Sequence, residues 1–162
     1  MRVVFLIEDS LPLRWVGPEF TPHLYGLLAD GGVMHPMGGQ AVLSTATYPN
    51  HASFITGTKP QAHGILTNDV WRDGSFVSSA EVGPATETLF AAARQAGVST
   101  AAVLGDQKLV GVMGADVADV HWPPCGVLPE DAVLDEFGYA ADVEVVRQVE
   151  AISALDAELV VL

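Results

Sequence analysis

The sequence predicts an α/β fold in which a mostly parallel sheet is flanked by helices on both faces, and three observations agree on it. Strand-like apolar runs alternate with helix-like segments along the chain. The runs are continuously apolar rather than alternating, which is typical of parallel strands that are buried on both faces. Apolar residues make up 49% of the 162 residues, so the chain can bury a substantial core.

The first third of the chain predicts two strands and two helices. A β-branched apolar run at 3–7 predicts a strand. Residues 21–31 predict a helix, because a threonine and a proline stand at its start and a glycine at its end. Residues 41–44 predict a short strand. Residues 49–57 predict a second helix that begins with proline and ends with glycine.

The rest of the chain predicts a hairpin and a continued alternation of helices and strands. The hairpin spans 69–77 and has Asp73 and Gly74 at its turn. The elements that follow are a helix at 86–96, strands at 98–104 and 117–120, a helix at 139–154 and a strand at 158–162. Right-handed crossovers between parallel strands are expected for this order.

The charge balance of the chain excludes several classes of partner. Seven basic and 20 acidic residues give a net charge of −13, which repels nucleic acid polymers and anionic membranes. A small anionic substrate would therefore need positive charge from another source, such as bound metal ions. No apolar run is long enough for a membrane span, and no signal peptide is recognisable, so a cytoplasmic protein is expected. The single cysteine, Cys125, excludes an intrachain disulfide and is expected to be partly buried and inert.

Two segments carry residue types that suit phosphoryl chemistry. Glu8 and Asp9 follow the first predicted strand, where a carboxylate either holds a metal or simply ends the strand in solvent. Residues 44–51 bring three hydroxyls to the start of a helix. The unpaired N–H groups of a helix start favour an anion there, but a hydroxyl in this position is also an ordinary N-cap.

A longer pattern resembles one known family. Residues 47–68 read TYPNHASFITGTKPQAHGILTN. This string resembles the pattern T-F-P-N-H followed by T-G-x-x-P-x-x-H-G-I-x-x-N of the nucleotide pyrophosphatase/phosphodiesterase family of the alkaline phosphatase superfamily. Asp9 precedes Thr47 by 38 residues and Asn68 follows it by 21, separations similar to those of the family's first metal ligand and its phosphoryl-contacting asparagine.

The resemblance implies both an activity and the residues that perform it. Thr47 would be the nucleophile, would form a phosphothreonine intermediate and would contact a metal. Asp9 would be a ligand of the same metal, and the Asn68 amide would donate to a phosphoryl oxygen. Two divalent metal ions, zinc by resemblance, would serve the hydrolysis of a small anionic phosphate mono- or diester.

The same resemblance implies that part of the domain is missing from this chain. The family's other ligands come as an Asp-x-x-x-His motif, an Asp-His pair and a distant His, and none of these occurs up to Leu162. We therefore expect 1–162 to be the N-terminal part of a single alkaline-phosphatase-like hydrolase domain, incomplete at the C-terminus and inactive alone. An exposed apolar sheet edge would then favour a homo-oligomer.

Lys108 provides a second resemblance. It lies in the segment Gly105–Leu109, which resembles the lysine-bearing D-K-L segment of phosphonoacetate hydrolase, where a lysine contacts the substrate carboxylate. This implies a substrate-binding role for Lys108, although an exposed lysine at a helix start is the ordinary alternative. The alternative functions are therefore a phosphonoacetate-hydrolase-like or sulfatase-like hydrolase, or a catalytically silent domain that binds an anion or a partner.

Overall fold

The computed structural model describes all 162 residues, which form two compact units. The larger unit comprises Met1–Ile7 and Val42–Leu162, and the smaller one comprises Glu8–Ala41. The strands are β1 (Val3–Phe5), β2 (Asp69–Arg72), β3 (Ser75–Ser78), β4 (Thr100–Val103), β5 (Val120–Trp122) and β6 (Leu159–Val161). The helices are α1 (Pro22–Gly26), α2 (Thr47–Thr56), α3 (Pro60–His63), α4 (Leu89–Gln95), α5 (Leu109–Met113) and α6 (Asp142–Ser153).

Four strands of the larger unit form a parallel sheet in the order β1-β6-β4-β5. Phe5 pairs with Val161 of β6, and Val161 pairs on its other side with Ala102 of β4. The parallel sheet predicted from the apolar runs is confirmed. Each observed strand is shorter than its predicted run, and the strand predicted at 117–120 instead spans Val120–Trp122.

Side chains of the central strands divide between two apolar clusters. Ala102 and Val161 belong to one cluster, which also contains apolar residues of α2, α4 and α5. Ala101 and Val160 belong to the other, together with residues of α6. Since successive side chains of a strand point to opposite faces, helices cover both faces of this sheet, as predicted.

Strand β1 departs from the expectation of burial on both faces. It pairs only with β6 and is an edge of the sheet, and Val3 and Val4 are 47% and 54% exposed. All four residues of β4, which pairs on both sides, are buried. Similar apolar runs therefore occupy a central and an edge position, because hydrophobicity alone does not determine strand order.

The predicted hairpin is present as the antiparallel pair β2 and β3. Asp73 and Gly74 form its two-residue turn, and both have positive φ, at 51° and 89°. Two consecutive positive φ values are typical of the turn that matches the natural twist of hairpin strands. Trp71 and Phe76 face each other across the pair, with ring centroids 5.0 Å apart.

The smaller unit contains α1 and an apolar cavity. Helix α1 is shorter than the predicted helix at 21–31, and the Thr21 hydroxyl does not cap it. Instead Thr21 Oγ1 accepts a hydrogen bond from the Gly17 amide at 3.0 Å. The cavity, of about 370 Å³, is lined mainly by aliphatic side chains, among them Leu11, Leu24 and Leu28. Nowhere in the structure does a helix combine the length and apolar character that crossing a membrane requires.

Candidate active site

Helix α2 begins at Thr47, two residues before the predicted start. Ala46 occupies the N-cap position in an extended conformation, so the Thr47 hydroxyl is not a cap and instead belongs to the first helical residue. The helix ends at Gly57, whose φ of 64° is the left-handed conformation that glycine adopts most easily. Thr47 therefore lies at the positive end of a ten-residue helix, whose dipole favours an anion.

Asn50 holds the segment that leads to Thr47. Its Oδ1 accepts from the Val42 amide at 2.8 Å, and its Nδ2 donates to the carbonyls of Ser44 and Ala46 at 3.2 and 2.7 Å. The prediction of a strand at 41–44 is wrong for this reason. One side chain satisfies backbone groups that a neighbouring strand would otherwise bind.

Asn68 lies at the first turn of α2. Its Oδ1 accepts a hydrogen bond from the backbone amide of Tyr48, the residue after Thr47, at 3.0 Å. Its Nδ2 donates to no protein group, and the side chain is exposed to solvent while Thr47 is half-buried. The structure thus brings together two of the residues that the resemblance singled out. The bond to Tyr48 uses the oxygen of the amide and leaves its NH₂ group to donate to a ligand.

Asp9 and Lys108 are the other two predicted site residues. Asp9 lies in the smaller unit, in a turn four residues after β1, and is exposed. Its place beside Thr47 stays a prediction. Lys108 is exposed just before α5, in the loop that follows β4, and forms no ion pair. Cys125 is exposed rather than partly buried, and it lies in the turn at Pro124–Gly126.

Asp106 is a residue of this region that the sequence reasoning did not single out. Its Oδ2 accepts a hydrogen bond from the Tyr48 hydroxyl at 3.0 Å, and its Oδ1 accepts from the Lys108 amide at 2.8 Å. Burial, and then the Asp106 carboxylate, raises the pKa of Tyr48 well above its ordinary value. A carboxylate after a predicted strand was a visible signal, but its partner lies 58 residues away in the sequence.

Two histidines of the TYPNH…HGI string make local hydrogen bonds, as their predicted structural role requires. The Nδ1 of buried His51 lies 2.9 Å from the Thr47 carbonyl. His63 is fully buried, accepts from the Ile65 amide through Nδ1 at 3.2 Å, and lies 3.0 Å from the Ser53 hydroxyl through Nε2. No cluster of three or more His, Cys, Asp or Glu side chains with the geometry to hold a metal ion occurs in the structure.

His63 makes a testable contribution to the pH dependence of stability. Burial lowers the pKa of His63 below 6.5 in the folded protein, so the unfolded chain binds a proton first as the pH falls. We expect the free energy of unfolding to decrease below about pH 6.5 and to level off once folded His63 is protonated. In a His63→Asn variant, whose Oδ1 can still accept from Ile65, this part of the decrease should vanish. Urea denaturation between about pH 7.5 and 5 measures both, and identical slopes would contradict the assignment.

The family is decided by a match over almost the whole chain. Residues 3–157 match the type I phosphodiesterase / nucleotide pyrophosphatase family. The chain belongs to this family. Its members are named for the hydrolysis of phosphoric ester bonds, and the resemblance of residues 47–68 is thereby confirmed.

Two curated relatives match part of the chain. A mouse bis(5'-adenosyl)-triphosphatase is 27% identical over 70 residues, which is 43% of this chain and 15% of the relative. Human ectonucleotide pyrophosphatase/phosphodiesterase family member 5 is 31% identical over 78 residues, which is 46% of this chain and 16% of the relative. The chain thus matches about a sixth of the length of these relatives.

Solved structures show the same fold. Murine ectonucleotide pyrophosphatase/phosphodiesterase 5 superposes on the whole of this chain with a TM-score of 0.67 and 20% identity, over 42% of its own chain. An inactive threonine-to-alanine variant of that protein, in complex with AMP, superposes equally well over 99% of this chain. The predicted alkaline-phosphatase-like α/β core is therefore confirmed at the level of fold.

The two candidate ligands that the resemblance names supply only part of a divalent-metal site. Asp9 offers a carboxylate and Thr47 a hydroxyl, which are the oxygen ligands that a hard or borderline divalent cation accepts. A tight zinc site needs three or four protein ligands. These two residues are too few for one.

Proposed function

We propose that this chain forms the N-terminal part, 1–162, of a single hydrolase domain that cleaves phosphate mono- or diesters with Thr47 as nucleophile. The observation that carries the proposal is the position of the Asn68 side chain at the first turn of α2. There Asn68 accepts a hydrogen bond from the amide of Tyr48, the residue after Thr47. A phosphoryl group can bind at a helix N-terminus, where an amide donates to one of its oxygens and a hydroxyl attacks its phosphorus. The proposal is supported by the relative's complex with AMP and by its inactivation through a threonine-to-alanine change.

In the proposed reaction the Thr47 oxygen attacks phosphorus in line with the leaving oxygen. The Thr47 O–P bond forms as the bond to the leaving oxygen breaks. The hydroxyl proton of Thr47 is released to solvent, and the leaving oxygen takes a proton from solvent and departs as the alcohol. Asn68 Nδ2 donates to a non-bridging oxygen, where negative charge is held during the transfer. Water then attacks the phosphothreonine, which releases phosphate or a phosphate monoester and restores the Thr47 hydroxyl.

The proposal includes two divalent metal ions, zinc in the family resemblance. Asp9 and Thr47 would supply ligands to one of them, and the remaining ligands would come from residues beyond Leu162. A bound divalent ion lowers the pKa of a hydroxyl and stabilises its alkoxide form. The metal ions would also supply positive charge at the site, because a chain with a net charge of −13 does not by itself attract a phosphate ester.

Lys108 favours one alternative substrate. It is exposed in the loop after β4 and forms no ion pair, so its ammonium group is available to a substrate carboxylate. This placement supports a phosphonoacetate-hydrolase-like activity as the second candidate. A sulfatase-like hydrolase and a catalytically silent anion-binding domain are the further outcomes that an assay can reveal.

The test compares four substrate classes on the protein expressed from its complete open reading frame. Bis-p-nitrophenyl phosphate, p-nitrophenyl phosphate, phosphonoacetate and p-nitrophenyl sulfate are assayed with added zinc and after chelation. We expect the diester or monoester to turn over fastest and chelation to abolish the rate. Preferred cleavage of phosphonoacetate would support the second candidate, and no turnover of any substrate would overturn the hydrolase proposal.

A further inference from the structure

A chain of hydrogen bonds joins the first turn of α2 to the loop after the central strand β4. The Tyr48 hydroxyl donates to Asp106 Oδ2 at 3.0 Å, and Asp106 Oδ1 accepts from the Lys108 amide at 2.8 Å. Both carboxylate oxygens are therefore engaged, and the carboxylate is fixed relative to the loop. We propose that Tyr48 and Asp106 are a positioning pair that holds the Thr47 hydroxyl in place for phosphoryl transfer, an inference that rests on the proposed function.

The pair provides a restraint that differs from the contacts of Asn50 and Asn68. Asn50 binds the backbone of 42–46, and Asn68 binds the Tyr48 amide, so both tie surface segments to α2. Asp106 instead follows β4, whose residues are all buried and which pairs with strands on both sides. Through Asp106, the loop after this buried central strand is thus linked to Tyr48, the residue next to Thr47.

The hydroxyl of Tyr48 is separable from the packing of its ring. The side chain is only 6% exposed, and it belongs to the apolar cluster that includes Leu104 and Leu109. A phenylalanine would keep this packing and remove only the hydrogen bond to Asp106. A buried phenol needs a polar partner, and a carboxylate is a strong hydrogen-bond acceptor. The bond to Asp106 therefore restrains the orientation of the buried Tyr48 ring.

The expected effect is on the rate of the chemical step. A displacement of a reacting group by about 1 Å can lower a rate about 100-fold, because the near-attack geometry is lost. We expect Tyr48→Phe and Asp106→Ala each to lower kcat by about 10- to 100-fold, with little change in KM, since neither residue is placed to touch substrate. Asp106→Asn keeps one acceptor oxygen and should fall less than Asp106→Ala.

Kinetics of the complete protein with bis-p-nitrophenyl phosphate test the coupling. If the two residues act as one link, the double variant Tyr48→Phe/Asp106→Ala should be no slower than the slower single variant. Tyr25→Phe and Asp116→Asn are matched controls at exposed positions and should keep the wild-type rate. Additive losses, losses confined to KM, or equal losses in the controls would overturn the pairing.

Amide hydrogen exchange tests the pair independently of activity. The Tyr48 amide, which donates to Asn68, should exchange at least about tenfold faster in Tyr48→Phe and in Asp106→Ala if the link restrains the first turn. Amides of α6 should be unaffected. Unchanged exchange at residue 48 would overturn the inference even if the protein is an active hydrolase. Faster exchange in a protein without activity would leave the link established and refute only the proposed function.

Discussion

A Thr47→Ala variant is expected to lose phosphate ester hydrolysis by about 10⁴-fold or more, because removal of a covalent nucleophile leaves only substrate binding and electrostatic stabilisation. The measurement is the initial rate with bis-p-nitrophenyl phosphate and added zinc, on the protein from the complete open reading frame. No phosphorylated protein should be trapped after an acid quench. The wild type under the same conditions should show phosphate on a peptide that contains Thr47.

The Thr47 variant can be interpreted because the change suits the local structure. Ala46 is the N-cap of α2, so the Thr47 side chain is not needed to cap the start of the helix. Alanine also has a high helix propensity. Thr47→Ser is the matched control, since it keeps the hydroxyl and should retain a substantial part of the rate. A Thr47→Ala protein that folds by circular dichroism and turns over at the wild-type rate would remove Thr47 from the mechanism.

The sequence predicted the parts of the fold that depend on local pattern. The continuous apolar run at 98–104 became the central strand β4, and Asp73 and Gly74 formed the hairpin turn. In both cases a short segment carries the information, either as hydrophobicity or as backbone conformational preference. The same reasoning located the start of α2 within two residues and hence placed Thr47 at a helix N-terminus.

Features that depend on distant partners were not predictable in this way. Residues 41–44 look like a strand, but Asn50 occupies their backbone hydrogen-bonding groups. The first apolar run looks as buried as the others, but β1 lies at the edge of the sheet. The hydrogen bond between Tyr48 and Asp106 joins residues that are 58 positions apart, and no periodicity or spacing in the sequence predicts it. Local propensity indicates which conformations a segment can adopt, and tertiary contacts determine which of them it adopts in the folded protein.

Variants of Asn68 should distinguish a structural role from a catalytic one more clearly than variants of any other residue of the site. Its Oδ1 accepts from the Tyr48 amide, and the proposal assigns its Nδ2 to the phosphoryl group. Asn68→Asp keeps an oxygen for the Tyr48 amide, and its negative charge is favourable at a helix N-terminus, so stability should be unchanged or slightly higher. The same change removes the donor and places a negative charge where the phosphoryl group would bind.

We therefore expect Asn68→Asp to lower kcat by about 10²- to 10³-fold, the loss seen when one preorganised donor to an oxyanion is removed. Asn68→Ala should show a similar loss of kcat and should also destabilise the fold by about 1 kcal/mol, because the Tyr48 amide then lacks its partner. Rates and urea denaturation of both variants measure the two effects separately. If Asn68 served only to hold the first turn of α2, the aspartate variant would be fully active and the alanine variant would be impaired only in proportion to its stability.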